Sequence, residues 1–336
     1  MKRYFWLSFF LLPLQLLAQQ DSTINDLMKN MEGTDGKKEA VKIFNSGKVI
    51  NAYTTEVIGK GRMEFNVVHN FGDVAGRDGG AKTFFGLDAV ADARIGFHIG
   101  LSDRLNLHIA RVAGGGTEGI LRVTQLYEIG LKYQLLRQLE NDPTHPIALT
   151  IYVNDVISAM SKPTPAQTEP WRPNRFDDFG DRQSQVVQLI IAKKIGKVSL
   201  QLNPTLVHEG FTRPYDDKSM FALGGAIRIP ITKSFSLIVD YFHPFRSDAS
   251  TAAFKDTSIT KFKIGAPTFG AVKFFDPLGV GVEITTAGHI FHLNFTNARE
   301  ILDNRLIPFT SKSWGKGQYR WGFTISRMFS LWKPKK

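Results

Sequence analysis

Apolar and polar residues alternate along this chain with the two-residue period of a β-strand. Between 123 and 135 the odd positions are Val123, Gln125, Tyr127, Ile129, Leu131, Tyr133 and Leu135, and the even ones include Thr124, Glu128, Gly130, Lys132 and Gln134. A bilayer is crossed by a tilted strand of roughly 9–11 residues, so this stretch is long enough to span one. The same alternation sets Ala91, Ala93, Ile95, Phe97 and Ile99 against Asp92, Arg94, Gly96 and His98. Leu105, Leu107 and Ile109 stand against Arg104, Asn106 and His108, and Val198, Leu200 and Leu202 against Ser199, Gln201 and Asn203. Phe235, Leu237, Val239 and Tyr241 oppose Ser236 and Asp240, while Tyr319, Trp321, Phe323 and Ile325 oppose Gln318, Arg320 and Thr324. One face of each strand is apolar and the other carries polar groups and charge.

A soluble sandwich alternates in the same way, so the connections have to decide. Short turns fall near 102–104, 140–145, 193–196, 231–233 and 286–288. Between them lie long polar connections at 72–88, 113–122, 157–182, 209–219, 244–260 and 297–317. Short and long follow each other without a break, the pattern of outer-membrane barrels with short periplasmic turns and long external loops. The predicted fold class is all-β, a transmembrane antiparallel up-and-down barrel. Counting from a strand over 62–71 to one over 318–329 gives about twelve strands, an even number that leaves both chain ends in the periplasm. The strand-like segment 49–58 is tied to the next strand by the short link 59–61, and counting it would break the parity. It is therefore read as a periplasmic lead-in or a plug inside the barrel. Residues 261–275 are read as a loop with its own strand or as an extension of the strand ending at Ile284.

Aromatic residues gather near the expected strand ends: Phe71, Phe97, Tyr127, Tyr133, Tyr241, Phe242, Phe291, Phe295, Trp321, Phe329 and Trp332. Girdles at the two membrane interfaces have this distribution, and ordinary core aromatics are the competing reading.

The start of the chain adds a destination. Lys2 and Arg3 precede an apolar run over 4–17, then Ala18, Gln19 and Gln20. This is a secretory signal with cleavage expected after Ala18, too short for a membrane helix. The expected organisation is a signal peptide at 1–18, a lead-in or plug at 19–60 and the barrel at 61–336. With no cysteine in 336 residues, a disulfide framework and a lipidated cysteine are both excluded. No later apolar run approaches the roughly 20 residues of a membrane helix, and a mean hydropathy of -0.14 suits strands that are apolar on one face only. The net charge of +11 accompanies neither a recognition helix nor an interleaved basic and aromatic platform, so nucleic acid is not an expected partner. The expected partners are outer-membrane lipid and lipopolysaccharide, with the barrel-assembly machinery during insertion. No cofactor is expected.

Several segments in order resemble an uncharacterised family of outer-membrane β-barrel proteins of Gram-negative bacteria, catalogued as a domain of unknown function. They are Phe44 with 49–56, His69 to Gly72, Ala93 to Phe97 with Leu101 to Leu105 and Arg111, 132–138, Pro204 to His208, 281–291 and 322–329. Asn70, Ala287, His98 and His108 depart from that family's pattern. The resemblance implies a barrel in the outer membrane and no settled activity.

If the apolar faces meet lipid, the opposite faces place Glu64, Asp92, Arg94, Arg104, Glu128, Lys132, Arg228, Asp240, Glu283 and Arg320 in the lumen. Such residues either pair with one another in a filled interior or line water and select solutes. Keeping Ile99 and Leu107 on one face around a three-residue turn sets His98 directly opposite His108, a candidate metal pair with too few ligands for a site. His289, His292 and Glu283 raise a hydrolytic constellation, but the two histidines have opposite parity and no nucleophile elbow accompanies them. Gly114 to Gly116 is read as a mobile loop tip, and the proline-rich stretch 162–173 as an extended external loop. The expected function is a narrow or gated pore for small solutes. A structural or binding barrel with a filled lumen, an outer-membrane enzyme and a periplasmic ligand-binding sandwich are the alternatives. Active transport is disfavoured, because such barrels need about 22 strands and a large plug domain.

Overall fold

A computed structural model of the chain describes residues 38–114, 123–162, 164, 174–213, 216–255 and 271–332. The expected signal peptide and leader before 38, the expected loop tip at Gly115 and Gly116 and most of the proline-rich stretch lie outside the described residues.

Twelve strands form the wall: β1 (Arg62–Asp73), β2 (Val90–Gly100), β3 (Leu105–Val112), β4 (Leu126–Leu136), β5 (Ala148–Ser158), β6 (Gln183–Ile195), β7 (Val198–Glu209), β8 (Ser219–Pro230), β9 (Phe235–Phe245), β10 (Leu278–Thr285), β11 (His289–Thr296) and β12 (Arg320–Ser330). Each pairs antiparallel with its sequence neighbours, and β12 closes onto β1 with Val67 opposite Ile325. Closure removes the sheet edges, which would otherwise leave unpaired backbone groups in lipid. Both ends of the barrel sequence lie at the short-turn end, where the amides of Gly61 and Leu331 donate to the carbonyls of Gly100 and Gly61. Two short helices, α1 (Asp248–Lys255) and α2 (Asp303–Phe309), belong to long connections at the other end.

Burial separates this barrel from a soluble sandwich. Outward residues such as Ile95, 50% exposed, and Leu202, 53% exposed, form an apolar outer face, while their inward neighbours Arg94 and Asn203 are almost completely enclosed. A water-soluble domain puts apolar side chains inside and polar ones outside. Here the order is inverted, as a wall facing lipid requires.

The interior has two kinds of wall. Strands β1–β4 and β10–β12 turn inward mostly polar groups, whereas β5–β9 also turn inward Ala148, Val186, Ala192, Val207, Ala222, Ala226, Ile238 and Phe242. Phe242 thereby departs from the expected girdle. In β9 Tyr241 takes the outward position, so its neighbour must point inside, where the Phe242 ring lies over Gly224, close enough that a Cβ there would come within 2.3 Å of it. Val123 and Gln125 precede β4, and Gln125 has a left-handed backbone (φ 57). Of the two readings of 261–275, the extension of β10 is corrected for 271–275, while 261–270 lie outside the described residues. That strand begins at Leu278, and the Val272 and Phe275 amides instead donate to the carbonyls of Phe254 and Thr310 in neighbouring connections.

Candidate functional site

The lumen holds two inserted pieces of chain, and five of the ten lumen candidates, Asp92, Glu128, Lys132, Asp240 and Glu283, hydrogen-bond to one of them. The first is the segment before β1. Val41 N–H donates to Gln138 O at the short-turn end, and residues 47–54 then reverse direction, with Val49 N–H on Ala52 O and Thr54 N–H on Gly47 O. This piece is not part of the sheet, so its buried backbone groups need side-chain partners. The wall supplies them. Asp240 Oδ2 accepts the amides of Ile50 (3.0 Å), Asn51 (2.5 Å) and Ala52 (2.9 Å), and Asn51 Nδ2 donates to Asp240 Oδ1. Gly279, paired with Asp240 across β9 and β10, leaves room for this tip: a Cβ there would lie 3.0 Å from Ile50 Cγ2.

The remaining carbonyls are met in turn. Tyr53 O accepts Gln201 and Asn203 amides at 2.7 and 3.0 Å, and Thr55 O accepts Gln134 and Thr150. Ile58 exchanges two hydrogen bonds with Asn106, and Lys132 Nζ donates to Thr54 O at 3.3 Å. Glu56, on the segment itself, accepts the Ile43 and Phe44 amides; burial raises its carboxyl while those amides pull it down. Ile43, Phe44, Val49 and Ile50 pack on the inward alanines, valines and Ile238 of β5–β9. Polar parity on the strands announces Gln134, Thr150, Gln201 and Asn203 as inward residues, but being uncharged they were not singled out as candidates.

The second inserted piece is the β11–β12 connection, where every residue of α2 is buried. Ile301 N–H donates to Asp92, Asn304 Nδ2 to Ser184 O, and Gln188 Nε2 to Asp303. Leu306 and Ile307 join the same apolar cluster as Ile43 and Phe44. The two pieces meet at Lys48, whose Nζ lies 3.6 Å from Asp303 Oδ1 and 3.2 Å from Ile301 O. Burial lowers the Lys48 ammonium and raises the Asp303 carboxyl to about 6, each partner opposing the shift of the other.

The other candidates form tight pairs. Arg94 makes two hydrogen bonds to Glu128 Oε2, at 2.8 and 3.0 Å, and Glu128 Oε1 accepts from Tyr53, Tyr152 and Asn154. Arg228 pairs with Glu283 at 2.7 Å, and Arg320 pairs with Asp73 at 2.7 Å. Glu64 lies beside Asn66 and 3.7 Å from His98. Arg104 stands apart: it belongs to the β2–β3 turn and reaches Leu135 O from the rim. Arg94→Met is expected to destabilise the barrel by about 3–5 kcal/mol, the cost of leaving Glu128 buried without its cation. A fall in the temperature at which the folded band is lost on a denaturing gel measures it, and an unchanged midpoint would show that the pair carries no such weight.

His98 and His108 do face each other, with rings stacked 4.0 Å apart, and neither nitrogen of His108 has a hydrogen-bond partner among the described residues. The described residues contain no group of three His, Cys, Asp or Glu side chains able to hold a metal ion. His292 Nε2 lies 3.3 Å from Glu283, but its Nδ1 has no partner, so no serine is joined to that pair. His289, one strand position of opposite parity, is only partly buried.

Residues 44–329 match the model of a family described as "Membrane bound beta barrel domain (DUF5777)". No curated protein matches the chain. Among solved structures the chain is similar to an outer membrane channel from Pseudomonas putida F1, at 12% identity and a TM-score of 0.47 over 82% of this chain and 98% of that one. It is similar also to the NanC porin (5% identity, TM-score 0.43, 79% and 98%) and to outer membrane phospholipase A from Escherichia coli (8% identity, TM-score 0.38, 90% and 96%).

Proposed function

Since the chain belongs to the family of membrane bound β-barrel domains over residues 44–329, we propose that it is an outer-membrane protein whose lumen is a gated passage for small solutes, held shut by residues 43–58. The signal peptide at 1–18 would deliver it, the barrel-assembly machinery would insert it, and lipid and lipopolysaccharide would surround its apolar face. The reading is of a conduit and not of an enzyme.

The observation that carries it is how the inner segment is seated. Its backbone is bound by side chains of the wall, above all by Asp240, and is not woven into the sheet. Water can take over such hydrogen bonds one by one, whereas withdrawing a strand would open the barrel itself. The apolar contacts of Ile43, Phe44 and Ile50 with β5–β9 resist release and keep the closed state the populated one.

Asp240→Ala tests this. It leaves three buried amides of residues 50–52 without an acceptor, at about 1–3 kcal/mol each, enough to raise the open population at least 100-fold. In a planar bilayer the unaltered barrel is expected to be almost silent and the Asp240→Ala barrel to show discrete openings. Silence from a folded Asp240→Ala barrel would sink the gate and favour a lumen that is permanently filled.

A further inference from the structure

At the long-loop end, between β4–β7 and α2, a cavity of about 30 Å³ lies outside the seat of the inner segment. Its wall includes Val156, Phe211 and Phe309, and one cation facing it, Arg213, has no direct ion pair among the described residues, since the nearby carboxylates Glu209 and Asp216 are engaged by Arg305 and Arg246. Arg213 is 5% exposed, its Nε has no hydrogen-bond partner, and its guanidinium makes no ion pair among the described residues; the ring of Phe309 lies 5.8 Å away. The arginines around it are matched. Arg305 lies 3.8 Å from Glu209, Arg246 pairs with Asp216 at 2.5 Å, and Arg182 donates to the carbonyls of Ser158 and Met160. A buried guanidinium left alone is costly, and an anion in the adjoining cavity is the partner that would relieve it.

We infer that this cavity is a binding site for a small organic monocarboxylate, its oxygens on Arg213 and its short tail against Phe211 and Phe309. About 10–15 Å³ holds one water, so the cavity admits a carboxylate head while a tail follows the aromatic wall. Glu209 and Asp181 also line the cavity, which favours a singly charged anion over a phosphate dianion. The site lies apart from the Asp240 seat of residues 50–52, and α2 reaches it through Arg305 and Phe309.

The test is calorimetric titration of the full-length barrel, folded in detergent micelles, with butyrate, butanol and inorganic phosphate. Saturable butyrate binding is expected, at least tenfold weaker for butanol and at least tenfold weaker in Arg213→Gln, with partial recovery in Arg213→Lys. Absence of saturable heat, equal binding of butanol, tighter binding of phosphate, or full retention in a folded Arg213→Gln barrel would each overturn the assignment. If Arg213→Gln fails to fold, the comparison of butyrate with butanol on the unaltered chain still decides.

Discussion

A barrel lacking residues 38–58 is expected to conduct steadily where the full chain is silent. The deletion removes the hydrogen bonds at Asp240, Gln201, Asn203, Gln134, Thr150, Asn106 and Lys132 together with the Ile43, Phe44, Val49 and Ile50 side chains that fill the space beside β5–β9. The wall left behind is lined by those same polar groups, which hydrate readily, and by small alanines, so water should enter the vacated half of the lumen. Strand pairing is untouched, because no described residue before Arg62 belongs to a barrel strand and Ala40 meets Leu139 only as an isolated bridge, and heat-modifiable migration on a gel checks that the barrel still forms. Adding a synthetic peptide of residues 38–58 to the short-turn side should restore closure in a concentration-dependent way. If the shortened, folded barrel stays silent, α2 and its connection alone block the lumen and the inner segment is no gate.

How far the fold could be read from residues depends on how different the two faces of each strand are. In β2 and β4 the outward set is Ile95, Phe97, Tyr127 and Ile129 and the inward set is Arg94, His98, Glu128 and Lys132, so parity assigns each side chain. The three-residue turn after β2 even fixed the pairing of His98 with His108. In β6 and β9 both parities are partly apolar. Val186 and Ile190 point in while Val187 points out, and Ile238 and Phe242 point in beside Leu237 and Tyr241. Hydrophobicity alone orients such strands weakly; in β9 the inward parity of Ser236 and Asp240 also claims Phe242, and grouping it with Tyr241 in a girdle set two adjacent positions on one face. The interior of β5–β9 is apolar because it packs on inserted chain, and nothing in a strand's own sequence says what will lie against it.

The inserted pieces show the same limit. Alternation over 49–58 suits a strand, a lead-in or a plug, because Val49, Ile50 and Tyr53 are at home in all three; only the acceptors around Asp240 distinguish them. The candidates on strands were found by parity, whereas Asp303, Arg305 and Arg213 sit in long connections, where polar composition marks a loop and leaves its path unstated. The family resemblance carried over the barrel and offered no activity to attach to these residues.

The junction of the two inserted pieces yields the other large effect, a mutant cycle at Lys48 and Asp303. Lys48→Met is expected to loosen the closed state by about 3–5 kcal/mol, since Asp303, with a fully buried side chain, would lose the cation 3.6 Å away. Asp303→Leu should loosen it for the mirror reason, leaving the Lys48 ammonium with the carbonyl of Ile301 and the ring of Tyr53 but no directly paired carboxylate. The double variant should be nearly as tightly closed as the unaltered chain, because two well-packed apolar side chains of similar volume replace a buried ion pair at little or no net cost. Burial already pushes both groups toward their neutral forms, the lysine downward and the carboxyl to about 6, so the pair contributes register between the pieces more than net stability. Open probability in the planar bilayer measures each corner of the cycle. Two single variants that open and a double variant that closes would establish that the inner segment and α2 hold each other; additive effects would mean that each is seated on the wall alone.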